Sequence, residues 1–210
     1  KRPVVLPLLV LGIILSSRGQ DPPTTSHAIF EAVKRGDLEK VVTLLEKGVD
    51  VNCRGEHQYT PLIAAARYKR LDIAQALCER GADVNAAADV DYNEEEWGYT
   101  PLLWATENGH VDMAELLIGK SAAVEQRGRM GHIPLIIAAR NGDLSLAAMF
   151  ISEGAMVDAV EDETGDTALI EAVGRGHMDL AEYLIEHGAN ARRKTQGGRS
   201  MLMLAAFRGH

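Results

Sequence analysis

Two tryptophans stand among the residues best suited to gripping another macromolecule. Trp104, four places after the start of a recurring unit, joins Arg67, Tyr68, Glu107, Arg140 and Arg175, which stand seven or eight places after such starts. Trp97 lies in an insertion with Tyr92 and Tyr99 beside Asp89, Asp91, Glu94, Glu95 and Glu96. Trp and Arg bury much surface while keeping a polar handle, the composition of an interface hot spot. The bland alternative is that the arginines are solvated helix ends favoured by the helix dipole, and that Trp97 merely tucks against the helix of Trp104.

Reactive chemistry is poorly represented. No Gly-x-Ser-x-Gly, Gly-Lys-Ser/Thr loop, His-Glu-x-x-His or Cys-x-x-Cys occurs, so the chain is read as non-enzymatic, with no cofactor, metal or small-molecule substrate expected. Asp89, Asp91 and Asn93 are spaced like the start of a calcium loop, but Glu94 stands where Gly is needed and Thr100 where the bidentate Glu belongs. His110, His177 and His210 recur at one place of a repeating unit, which marks them as turn residues that cap helices. Cys53 and Cys78 are too few for a disulfide framework and lack zinc spacing. Cys78 takes a core Leu position, and a bridge to the loop residue Cys53 is not favoured.

The elements that must position these residues follow from composition and period. The 210 residues are 46% hydrophobic and 25% charged, enough to fold. A net charge of −8 speaks against general affinity for phosphate backbones, so nucleic acid is not an expected partner. Self-comparison is more informative. Similar units start at His27, Thr60, Thr100, Ile133, Thr167 and Ser200, at steps of 33, 40, 33, 34 and 33 residues. Thr60-Pro61 and Thr100-Pro101 read as a capping side chain followed by a proline whose missing amide costs nothing there. Gly36, Gly109, Gly142 and Gly176 end the first helix of a unit, with Lys69 in the equivalent place, and Gly48, Gly81, Gly154 and Gly188 end the second. Between them apolar residues fall at helical spacing, as in Val41, Leu44 and Leu45 or Leu180, Tyr183 and Leu184. Such a pair cannot bury its apolar faces alone and must stack on the next.

With Thr100-Pro101-Leu102, Gly109-His110 and Gly81-Ala82-Asp83-Val84-Asn85 in phase, the chain resembles the ankyrin repeat over residues 27–210, as five full copies and a partial sixth. The resemblance implies an all-α solenoid of stacked helix-turn-helix units joined by β-hairpin-like loops. It also implies binding of other proteins through loop tips and the inner row of first helices. The His that often follows Thr-Pro-Leu is replaced by Ile63, Leu103, Ile136 and Ile170. The final unit breaks off at Gly209-His210 after one helix, which reads as truncation or as an exposed apolar face from Met201, Leu204 and Phe207.

That frame puts Lys34 and Arg35, Arg67 and Tyr68, Glu107 and Asn108, Arg140 and Asn141, Gly174 and Arg175, and Phe207 and Arg208 on the inner row. The row is conspicuously basic for an acidic chain, so a partner protein with an acidic patch is expected there. Loop charges alternate in sign, Arg127 and Arg129 against Glu161, Asp162, Glu163 and Asp166, and adjacent loops are expected to pair.

Residues 1–19 have the order of a signal peptide: Lys1 and Arg2, an apolar run from Pro3 to Leu15, then Ser16, Ser17 and Gly19. The run would rise only about 20 Å as a helix, short of a bilayer core of roughly 30 Å. Export to the periplasm or the extracellular space is therefore expected, with anchoring by residues 3–15 as the alternative and the only expected membrane contact. Residues 20–26 read as a linker ending in a cap. The functional expectation is an exported protein-binding module, with the inserted lobe entering a partner's cleft and restraining a secreted hydrolase. The rival is a scaffolding segment of a larger membrane-anchored or multidomain protein.

Overall fold

The Thr-Pro starts and glycine stops fold into helix pairs. The computed structural model describes residues 23–88, 98–128 and 131–209. The signal-like residues 1–19, Asp89, Asp91 and Asn93 of the calcium-like stretch, Trp97, Arg129 and His210 lie outside the described residues. Helices α1 (Pro23–Arg35) and α2 (Leu38–Glu46), α3 (Pro61–Arg67) and α4 (Leu71–Glu79), α5 (Pro101–Glu107) and α6 (Val111–Gly119), α7 (Pro134–Asn141) and α8 (Leu144–Ser152), and α9 (Ala168–Arg175) and α10 (Met178–Glu186) form five pairs, and α11 (Met201–Arg208) follows. The linker reading of residues 20–26 is corrected at its C-terminal end, because α1 begins at Pro23, a residue pre-set for a first helical turn.

Each start is built as its sequence implies. The hydroxyls of Thr60, Thr100, Thr167 and Ser200 accept from the amides of Ile63, Leu103, Ile170 and Met203 at 3.2–3.3 Å. Ile133 has no such side chain and relies on Pro134 at the first position of α7. At Gly142, φ is +72° and a Cβ would lie 2.6 Å from the His177 ring, so both backbone and space require glycine. Lys69 occupies the same turn place with φ +54° and carries the strain that a side chain incurs there.

The first helices α1, α3, α5, α7, α9 and α11 pack in series as one layer, and α2, α4, α6, α8 and α10 as a second. Small residues such as Ala65, Ala66, Ala105, Ala138, Ala139 and Ala172 let the first layer approach closely, and one continuous hydrophobic core runs from Ile29 to Leu204. Leu204 is buried, so the apolar residues exposed on α11 are Leu202, Met203 and Phe207, which corrects the set expected there.

Polar links cross the four junctions among the five helix pairs. In the loops Asn52 Oδ1 accepts from the Asp83 amide, Asn85 Oδ1 from Ala123, Glu125 Oε1 from Met156 and Asp158 Oδ1 from Asn190, at 2.8–2.9 Å. At the turns the links run backward. Arg70 donates to the Lys34 carbonyl at 2.7 Å, His110 bonds to the Ala66 carbonyl at 3.1 Å, Asn141 donates to the Glu107 carbonyl at 3.2 Å and His177 bonds to the Arg140 carbonyl at 3.3 Å. His110 and His177 thus do not cap their own helices. Their rings bond to carbonyls at the end of the preceding unit's first helix, a longer reach than the expected local cap.

Hairpin-like closures join the units. Gly55, Gly128, Glu161 and Thr195 each donate an amide to the carbonyl of the residue just before the next helix start, at Tyr59, His132, Asp166 and Arg199 respectively, or one residue before it. The inserted segment is pinched at its base, where the amides of Ala88 and Gly98 donate to Tyr99 and Ala88 at 3.1 and 2.7 Å. Cys53 is buried, and Cys78 is half-buried with its thiol pushed up by burial.

Replacing Lys69 by Gly is expected to raise stability by roughly 0.5–1 kcal/mol, read as a higher urea midpoint with unchanged slope.

Candidate functional site

The residues singled out by the frame sit at the C-terminal turns of the first helices. Facing them is a column that the sequence reading passed over: the residue immediately before each helix start, namely Tyr59, Tyr99, His132, Asp166 and Arg199. The two columns meet. Arg67 Nη1 donates to the Tyr59 hydroxyl at 3.0 Å, and the Arg199 guanidinium lies 4.6 Å over the Phe207 ring.

At α5 the meeting point is aromatic. Trp104 packs edge-on against Tyr59 and Tyr99, with centroid separations of 6.1 and 5.5 Å, and the Arg67 guanidinium lies 4.6 Å over the Trp104 ring. Edge-on aromatic pairs and cation–π contacts each contribute on the order of 1 kcal/mol. Only 6% of Trp104 is exposed. The expectation that this ring itself presents a contact surface is therefore corrected: it is a platform that fixes Arg67. Its Nε1 is buried without a hydrogen-bond acceptor among the described residues. Tyr68, by contrast, is 39% exposed at the end of α3, and Glu107 is exposed at the end of α5.

Two units on, the same geometry carries charge. Glu171 occupies in α9 the place that Trp104 holds in α5. Arg140, the counterpart of Arg67, reaches it, with Nη2 3.2 Å from Glu171 Oε1 and 2.8 Å from Glu161 Oε1. Arg175 Nε closes on Glu171 Oε2 at 3.0 Å. Glu161 is almost wholly enclosed; its other oxygen accepts from the Thr164 hydroxyl at 2.7 Å, and His132 Nε2 lies 3.1 Å from Oε1. The Tyr99 hydroxyl meets His132 Nδ1 at 3.0 Å, joining the aromatic and ionic clusters. The basic row expected from sequence is thus largely neutralised in its C-terminal half, because Glu161 and Glu171 occupy Arg140 and Arg175. Adjacent loops also pair, as Arg127 Nη1 lies 3.1 Å from Asp162 Oδ1.

Electrostatics follow from these partners. Burial alone would raise the Glu161 carboxyl, but hydrogen bonds from Thr164 and Arg140 and the charges of Arg140 and His132 outweigh it and hold the group below the usual range. Burial raises Asp166, and Glu171 and Glu161 beside it add to the rise. Burial and then Glu107 push the Tyr99 phenol well above its ordinary value, so this hydroxyl stays protonated at neutral pH and is no nucleophile. Both His132 ring nitrogens are engaged. Among the described residues no cluster of His, Cys, Asp or Glu could hold a metal ion, and no helix is long and apolar enough to cross a membrane. What the arrangement supplies is a rigid polar rim.

The sequence reading placed Arg67, Tyr68, Trp104, Glu107, Arg140 and Arg175 on one row, and the structure does bring them onto one. It missed Tyr59 and His132, and it took Glu161 for an exposed loop charge. A readable signal existed for the first two, since both immediately precede a helix start; none marked the enclosure of Glu161, which depends on neighbours two elements away.

Stability should respond to these carboxyls in opposite senses. Glu161 is depressed in the folded state, so its contribution is present above its ordinary value of 4.5 and is lost as pH falls through the lower folded value. Glu161→Gln should cost roughly 3 kcal/mol at neutral pH and progressively less in acid, measured by urea unfolding across pH. Asp166 is raised, so its ionised form opposes folding above its folded value, and Asp166→Asn should stabilise the protein at neutral pH, with the gain disappearing in acid.

Comparison with known proteins agrees with this architecture. The family profile described as ankyrin repeats matches in three copies, over residues 7–88, 86–161 and 135–210. The chain is 26% identical over 183 residues to the ankyrin repeat protein YahD of Escherichia coli, covering 85% of this chain and 88% of that one. It is 35% identical over 96 residues to the 26S proteasome non-ATPase regulatory subunit 10 of Dictyostelium discoideum, covering 45% and 39% respectively. It is 34% identical over 104 residues to the ankyrin repeat and KH domain-containing protein mask of Drosophila melanogaster, covering 50% of this chain and 2% of that one.

Proposed function

Because the chain belongs to the ankyrin repeat family, we propose that it is a non-enzymatic protein-interaction module that holds a folded partner against the ends of its first helices. One observation carries this reading. Arg67 is locked over Trp104 and against Tyr59 beside the exposed Tyr68, so the guanidinium has little rotamer entropy left to lose when a partner is held there. An acidic patch on the partner meets this end of the row, where Lys34 and Arg35 are exposed and, among the described residues, Arg35 has only the surface pair with Glu31 at 3.4 Å, rather than the end where Arg140 is held by the enclosed Glu161.

Two finer elements belong to the same proposal. Export rests on the order of charge, apolar run and small residues in positions 1–19. Restraint of a secreted hydrolase rests on the aromatic and acidic insertion containing Trp97, which springs from a closed stem at Ala88 and Tyr99. The second reading, a scaffolding segment of a larger protein, is favoured by one fact. The chain spans only 2–39% of the length of the first seven curated relatives that it matches.

With the partner captured from the native compartment, the double substitution of Arg67 and Tyr68 by Ala should weaken binding by about tenfold or more while circular dichroism stays unchanged. Equal affinity of the variant would overturn the assignment of this face. Separately, Edman sequencing of the protein from its source cell should begin at or near Gln20 if the leader is cleaved; an intact apolar start would favour anchoring.

A further inference from the structure

The second-helix layer carries a surface of different chemistry. In α4, α6, α8 and α10 the third, fourth and seventh residues are buried, so the second, fifth and ninth face outward. In α6 and α10 those outward places include the exposed acids Asp112 and Glu115, and Asp179, Glu182 and Glu186. In α8 they are Ser145, Ala148 and Ser152, and no charged residue occurs anywhere from Leu144 to Ser152. Leu144 and Ile151, at the edge of this face, are only half-buried. α8 packs between α6 and α10. The result is a shallow neutral trough of short side chains with a carboxylate wall on each side.

We propose that the outer face of α8 docks a basic amphipathic helix of a partner protein, distinct from whatever binds the first-helix row. The partner's apolar stripe would lie on Ala148, Leu144 and Ile151, and its flanking lysines or arginines would face the two acidic walls. The trough can be covered without desolvating a charge, unlike the outer faces of α6 and α10. None of α6, α8 and α10 contains a Lys or Arg, so the walls steer cations and repel anions. That sign excludes the other ready occupants. Anionic lipid and nucleic acid would meet like charge, and a second copy laid face to face would set carboxylates against carboxylates. A nine-residue helix spans about 13 Å, which two to three turns of a partner helix match with residues at i, i+4 and i+7.

The probe is a synthetic Leu/Lys amphipathic helix, with a Leu/Glu helix of the same pattern as control, titrated calorimetrically and mapped by amide shifts on the intact protein. The Leu/Lys helix should bind in a salt-sensitive way, with shifts centred on residues 144–152, and the Leu/Glu helix should not. Ala148→Arg should weaken binding by about tenfold or more; if that variant folds poorly by circular dichroism, Ser145→Arg at the more exposed place should show the same loss. Arg67→Ala, on the other layer, should leave the affinity unchanged, which separates this surface from the proposed partner site. Shifts spread over the acidic surface without a centre on α8, or an affinity indifferent to both arginine substitutions, would overturn the proposal.

Discussion

Every helix pair in this chain leaves two kinds of group unsatisfied, and both are met by the neighbouring pair. The apolar faces are the larger demand: Ile29, Leu62, Leu102, Leu135 and Leu169 are buried only because consecutive first helices lie against one another in a single core. Carbonyls at the ends of first helices are the second demand, and Arg70, His110, Asn141 and His177 reach back to them from the following turn. Since an intramolecular hydrogen bond contributes on the order of 1 kcal/mol, apolar stacking and polar stapling select the same spacing between units. The alignment of all other features, including the row of functional interest, is inherited from that spacing.

A fixed geometry with variable chemistry explains the inner row. At two junctions the side chain at the end of one first helix meets the residue one turn into the next. Arg67 therefore finds the π face of Trp104, whereas Arg140 finds the carboxylate of Glu171. The first arrangement pins the cation on aromatic rings; the second pairs it with carboxylates. An acidic protein can thus show an arginine-rich row in its sequence whose members are individually engaged in its fold. The outer layer makes the complementary point, since one uncharged helix among acidic ones creates a trough from residues that are unremarkable singly.

Much of the architecture was legible because it is periodic. Thr60, Thr100, Thr167 and Ser200 announce their helices through local hydrogen bonds, and the turn glycines announce their stops. Features that depend on contacts between units were harder to read. The burial of Trp104 follows from Tyr59, Tyr99 and Arg67, none of them neighbours in its own helix, so a large aromatic at a surface-facing place was read as exposed. The neutralisation of Arg140 follows from Glu161 in a loop and Glu171 in the next unit. His110 and His177 were recognised as turn residues by recurrence, but the carbonyls that they satisfy lie one unit back and leave no mark at that range.

The loop ladder and the turn staples point in opposite directions along the stack. Asn52, Asn85, Glu125 and Asp158 take amides from the unit ahead, while Arg70, His110, Asn141 and His177 serve the unit behind. An interior unit is accordingly fastened on both sides, and fraying that starts at either extremity must release both fastenings of a junction before it advances. Under tension the array would yield like a row of double-stitched seams, one junction at a time, with the intact remainder keeping its stacking.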